Sequence, residues 1–275
     1  MGNIEAAAQY YHEGATYYRV YATLEQALAD RNNASSNDAL VLMSDIVLKD
    51  TLQIPAGKAI VLDLNGYTIS QEKACTAHYA MIVNNNSLTI KDSSEEKTGK
   101  ISFKDTGKGD ANFGWGSYTI ENKGQLILVS GTIENATELN TAEKNIHMYC
   151  AIQQNVATAH TQIRGGVVST PTYRSIRINS GKLTVTAGEI DGQIWVQPFA
   201  TGIAVSVSGG RFSPNGGDSS AIYIENSSKT VSFRVTGGEF KGKIGCANAD
   251  ALKGSTDQGK SCGASFWIFG SNIAF

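Results

Sequence analysis

The sequence predicts an all-β fold: a right-handed parallel β-helix solenoid with a short N-terminal capping helix. The first observation is a repeat between Ser175 and Gly245. An alternating apolar pair, a turn, a second alternating strand, a small residue with a glycine, and a third short strand recur three times. The second glycines are Gly188, Gly210 and Gly238, with spacings of 22 and 28 residues, and Gly166 and Gly131 echo them upstream. A period of this size built from short strands marks a solenoid. The second observation is the alternation itself, which puts apolar side chains on one face and lets strands stack rung on rung. The third is composition: 29 glycines and only 17% charged residues in 275 fit many turns between short strands.

Residues 1–18 form a polar, Tyr-rich segment with a short helix expected around Ala6–Gln9 and no assigned role; residues 19–275 form the capped solenoid domain. Tyr18-Arg-Val-Tyr21 reads as a strand, and Thr23-Leu-Glu-Gln26 as a capping box opening a helix whose apolar face is Leu24, Ala27 and Leu28. Such a helix would cover the first rung, which has no neighbour above it. From Ala39 onward the alternation begins, with turns at Pro55-Ala-Gly57 and Asn65-Gly66. Asn84, Asn122, Asn179 and Asn226 each follow an alternating apolar pair, and a ladder of buried amides bonding successive turns is expected of them. Longer excursions fall at 71–79, 91–98, 103–117, 136–149 and 246–265, where a solenoid carries its specificity. The aromatic end, Phe266-Trp-Ile-Phe-Gly-Ser-Asn-Ile-Ala-Phe275, is expected to cap the last rung or to meet another subunit.

The Gly-Gly rungs resemble the pectate-lyase-like superfamily of single-stranded parallel β-helices. The strings Tyr21-Ala-Thr-Leu-Glu-Gln-Ala-Leu, Asp45-Ile-Val-Leu-Lys-Asp-Thr-Leu-Gln-Ile-Pro-Ala-Gly-Lys and Val61-Leu-Asp-Leu-Asn-Gly-Tyr-Thr-Ile resemble the opening module of β-helical proteins from gut-bacterial surfaces and phage appendages. That superfamily hosts lyases, hydrolases, tailspikes and adhesins, so the resemblance implies an architecture and leaves the function to particular residues. For a phage fibre it further implies a homotrimer or another homo-oligomer.

Composition narrows the partners. A net charge of −2 gives no basic face for nucleic acid, and no apolar run is long enough to enter a bilayer. The N-terminus has no basic region followed by an apolar core, so no signal peptide is read in it. Cys75, Cys150, Cys246 and Cys262 lack the spacing of a zinc site; Cys246 and Cys262 flank a polar loop and are either bridged there or two small thiols.

Aligning the rungs on their glycines puts Glu189, Arg211 and Glu239 in one outward column. The two glutamates, two rungs of about 4.8 Å apart, are the candidate catalytic pair of a polysaccharide-cleaving enzyme. The arginine between them favours a structural charge ladder instead. The Asn-Thr-Asp, Asp-Asp and Gly-His-Gly motifs of pectin hydrolases do not occur. Aligning on the apolar pairs puts Arg177, Trp195 and Tyr223 in a second outward column, a candidate stripe for sugar rings or a partner chain. Trp115, in Phe113-Gly-Trp-Gly-Ser-Tyr118, is the other aromatic candidate. The run Asp105-Thr-Gly-Lys-Gly-Asp-Ala-Asn112 offers oxygen ligands but reads as a polar loop, and His12, His78, His147 and His160 are scattered, so no metal or cofactor is expected.

The expected function is a non-catalytic extracellular attachment module, a phage head- or tail-fibre component on the virion surface that binds host-surface glycans. The alternatives are a bacterial surface adhesin module and a polysaccharide hydrolase or lyase.

Overall fold

The computed structural model describes residues 6–11, 19–30, 38–57, 59–107, 116–138, 149–215, 220–225 and 231–246, with the backbone alone at 172–173, 246, 264–268 and 273–274. The chain is all-β apart from a single helix among the described residues. Among the described residues twenty-two strands join in one sheet system, with parallel pairings except at the N-terminal end. This is compatible with the predicted solenoid.

The strands fall into three columns, visited in rotation. The first runs through Ala39–Leu42, Ile60–Asp63, Ser87–Lys91 and Gln125–Leu128, then through residues 160–163, 182–185, 203–207 and 231–235. The second runs from Ile46–Val47 through Thr68–Lys73, Lys100–Asp105, Thr132–Asn135 and residues 167–169 to residues 189–191 and 211–213. The third runs from Leu52–Ile54 through Tyr79–Asn84, Ser117–Asn122, Cys150–Gln154 and residues 174–178 and 193–196 to Ser220–Ile224 and Lys243–Cys246. Inward side chains merge into one core that extends from Ala8 to Ile244. Within it the Phe212 and Phe240 rings stack with centroids 4.4 Å apart.

The N-terminal end is closed differently from the expectation. Residues around Ala6–Gln9 form no helix: β1 (Ala8–Tyr11) is a strand, antiparallel to both β2 (Arg19–Tyr21) and β3 (Ala39–Leu42). Its alternating burial, Ala8 and Tyr10 inward, explains why a strand wins over a helix here. β1 covers the edge of β3 that would otherwise lack a partner. The predicted helix does form, as α1 (Leu24–Ala29): the Gln26 N–H donates to Thr23 Oγ1 at 3.2 Å, and Leu24, Ala27 and Leu28 are buried. The Tyr10 hydroxyl ties β1 to α1 by donating to the Ala27 carbonyl at 2.8 Å.

The repeated glycines occupy one corner. Gly131, Gly166, Gly188, Gly210 and Gly238 all have positive φ, from +71° to +123°. A Cβ on Gly188 would lie 2.8 Å from the Gly166 carbonyl oxygen of the rung before. Gly188→Ala is therefore expected to cost about 1–3 kcal/mol through backbone strain, read as a lower urea midpoint.

The amide ladder is shorter than predicted and contains a glutamine. Asn84 Nδ2 donates to Asn122 Oδ1 at 2.8 Å, and Asn122 Nδ2 to Gln154 Oε1 at 3.3 Å. Ile178 and Val196 then take the same register position, so Asn179 lies one residue beyond the ladder. Asn226 lies outside the described residues.

Two features of the columns position the candidate site. The excursions at 74–78, 106–116, 136–149 and 214–219 all join the second column to the third. The middle of the third column is also buried on both faces: every residue of Ser117–Asn122 and Cys150–Gln154 is buried, whereas Gln53 at the start of that column is exposed and Lys100–Asp105 in the second column alternates.

Candidate functional site

The outer face of the third column gathers the aromatic and cationic residues. In register along it lie Val83, Glu121, Gln153, Arg177, Trp195 and Tyr223. The predicted alignment of Arg177, Trp195 and Tyr223 is thus present. Their predicted exposure is not: Arg177 is 5% and Trp195 4% exposed, and Tyr223 is half-buried. The stripe is a covered platform rather than an open surface. Period-two alternation identifies which way a side chain leaves the sheet and carries no information about what lies over it.

Arg174 joins this platform and was not among the expected residues. Its Cζ lies 3.1 Å from the Trp195 ring centroid and the Arg177 Cζ lies 4.9 Å from it, so both guanidinium groups are within cation–π range of one indole. Regular alternation would put residues 174 and 177 on opposite faces; the register shifts between Ser169 and Arg174 and again between Arg174 and Ile176, and this irregularity breaks that parity and lets Arg174 join Arg177. Tyr118, also unexpected, accepts from Arg177 Nη1 at 3.3 Å, and His78 meets its ring edge-on at 4.9 Å. Arg177 Nη2 donates to Gln197 Oε1 at 2.6 Å. The nearest acidic member of the column, Glu121, is paired with Lys123 at 3.1 Å and accepts from Asn155 Nδ2 at 3.4 Å.

Burial sets the ionisation of the neighbouring groups. It pushes the Cys150 thiol up to about 12 even though Arg177 and Arg174 pull it down. Burial likewise raises Cys75 to about 12, with Asp105 adding to the effect. Both cysteines are free and hold neutral thiols, so neither is an activated nucleophile. Burial lowers the pKa of His78 and of His160, whose Nε2 sits 2.9 Å from Thr184 Oγ1. Among the described residues no three His, Cys, Asp or Glu side chains converge as metal ligands.

The second column carries the candidate carboxylates in the open. Glu189, Arg211 and Glu239 are paired in register as predicted. Arg211 lies 3.6 Å from Glu189 and 3.4 Å from Glu239, and all three side chains are about half exposed or more. Asp191, two residues after Glu189 on the same face, went unnoticed in the sequence; burial raises its pKa and Glu189 raises it further, against Lys241 and Arg211. Its signal was the i, i+2 spacing from Glu189.

Trp115, Cys262, His12, His147 and most of the 105–112 run lie outside the described residues, as does the Cys246 side chain. Asp105 itself accepts from the Cys75 and Gly107 backbone N–H groups, at 3.1 and 2.8 Å, and so ties an excursion to the sheet. No described helix is long and apolar enough to cross a membrane.

Comparison of the chain with protein-family models, with curated proteins and with solved structures finds no match.

Proposed function

We propose that the chain is a right-handed parallel β-helix of the pectate-lyase-like kind, working as a non-catalytic extracellular attachment module. The reading places it on a phage virion appendage, as a homotrimer or other homo-oligomer that engages host-surface glycans. What supports the non-catalytic part is the Glu189–Arg211–Glu239 ladder. Arg211 engages both glutamates, at 3.6 and 3.4 Å, as a surface ion-pair ladder does, and takes up the space between them. What supports attachment is the chain order: the excursions at 74–78, 106–116, 136–149 and 214–219 all fall between second-column and third-column strands, and long loops on a solenoid carry specificity.

A second reading has one observation in its favour. Asp191, with its pKa raised by burial and then by Glu189, stands two residues from Glu189 on the same outward face, an arrangement of two neighbouring carboxyl groups. It belongs to a polysaccharide hydrolase. The test is a glycan array combined with an assay for new reducing ends and unsaturated uronates. Binding without turnover supports the attachment module. Turnover abolished by Asp191→Asn or Glu189→Gln establishes the enzyme instead.

A further inference from the structure

Arg177 is a buried cation with no carboxylate in ion-pair contact among the described residues. There its guanidinium donates to neutral acceptors, the Tyr118 hydroxyl and the Gln197 amide oxygen. Its Nε is buried and has no acceptor. No carboxylate among the described residues pairs with it; Glu121, in the same column, is held by Lys123. The nearby Cys150 thiol stays neutral and supplies no thiolate. Arg174 adds a second positive charge on the same indole. Burying a guanidinium without an opposite charge destabilises a fold, and replacing it by an apolar side chain of similar volume is neutral or stabilising. A residue that breaks a local rule at such a cost is expected at a functional position.

We propose that Arg177, with Arg174 and Trp195, forms an oxyanion-binding seat on the third column, taking a carboxylate or sulfate group. The planar guanidinium presents paired donors that match two oxygens of such a group, and its unsatisfied Nε is one of them. The indole backs the arginines and fixes their planes. The inference rests on the attachment reading only for what carries the anion.

The experiment measures thermal stability of the wild type and of Arg177→Met in chloride buffer, then with millimolar sulfate or glucuronate at constant ionic strength. In chloride, Arg177→Met is expected to melt at or above the wild-type temperature. With sulfate or glucuronate the wild type gains stability in a saturable way, and Arg177→Met loses that response by roughly tenfold or more in apparent affinity. A wild type indifferent to both anions overturns the proposal, as does a response retained in Arg177→Met. Equal responses to sulfate and glucuronate assign the seat to any oxyanion, and a response to glucuronate alone assigns it to a carboxylate. A glycan array separates this seat from the attachment reading. Free anions that bind while no glycan does leave the seat standing and remove glycan attachment. Neutral glycans that bind the wild type and Arg177→Met alike, with no anion response, do the reverse.

Discussion

Asp92→Ala is expected to lower stability by about 3–6 kcal/mol, because it orphans three backbone donors, two of them only partly buried, at about 1–2 kcal/mol each. The Asp92 side chain pins the corner between the first and second columns. Its Oδ1 accepts from Gly66 N–H at 2.9 Å and Ser94 N–H at 3.0 Å, and its Oδ2 from Gly99 N–H at 2.6 Å. The residue is 2% exposed, so water does not replace these bonds. Burial pushes the carboxyl pKa up, but the hydrogen bonds from the Gly99, Ser94 and Gly66 backbones outweigh it and hold the pKa below its usual value. A depressed folded-state pKa means that the carboxylate contributes fully above the unfolded value, near 3.8, and loses its contribution as pH falls through the folded value. Asp92→Asn keeps the shape but turns an amide donor toward one N–H. Urea midpoints should place it between wild type and Asp92→Ala at neutral pH, with the gap to wild type narrowing in acid. Equal midpoints for wild type and Asp92→Ala at pH 7 would remove Asp92 from the account of this corner.

Trp195→Ala is expected to cost about 3–5 kcal/mol of stability, the range for deleting a large buried aromatic side chain. On an open glycan-binding stripe the same change would leave the fold almost untouched and reduce only affinity. Here the indole is 4% exposed and its centroid lies 3.1 and 4.9 Å from two guanidinium groups, so its removal leaves a cavity and strips both arginines of their aromatic partner. Trp195→Phe retains a ring and should recover about half of the loss or more. Calorimetric melting of the three proteins checks the series. An unchanged melting temperature in Trp195→Ala contradicts the buried placement.

The parts of the structure visible in the sequence are those governed by local rules. Thr23 and Gln26 announce the helix start because capping is a contact three residues apart. The Asn65-Gly66 turn appears with φ of 48° and 83°, the left-handed values that this pair tolerates. Glu189, Arg211 and Glu239 align because counting from a stacked glycine transfers the register between rungs without error. Failures arise where register slips or where distant chain decides the outcome. Ala8–Tyr11 is a strand because β2 and β3 lie on either side of it, which its own composition does not reveal. The register shift at Arg174 hides its place beside Arg177 from period-two counting, and the third amide of the ladder is Gln154 rather than Asn179 because register position, not residue type, decides membership. The covering of Arg177 and Trp195 was invisible for a third reason. Alternation in the second column means one wet face, as at Lys100–Asp105, but outward residues of the third column are buried as well.

The account turns on that doubly buried third column, and Trp195 reports on it directly. In a chain carrying Trp115→Phe and Trp267→Phe, Trp195 is the remaining indole, and its emission and acrylamide quenching measure its surroundings. Blue-shifted emission that acrylamide hardly quenches is the predicted result. Water-like emission with free quenching would contradict the account, returning Trp195 to an open face and Arg177 to ordinary solvation.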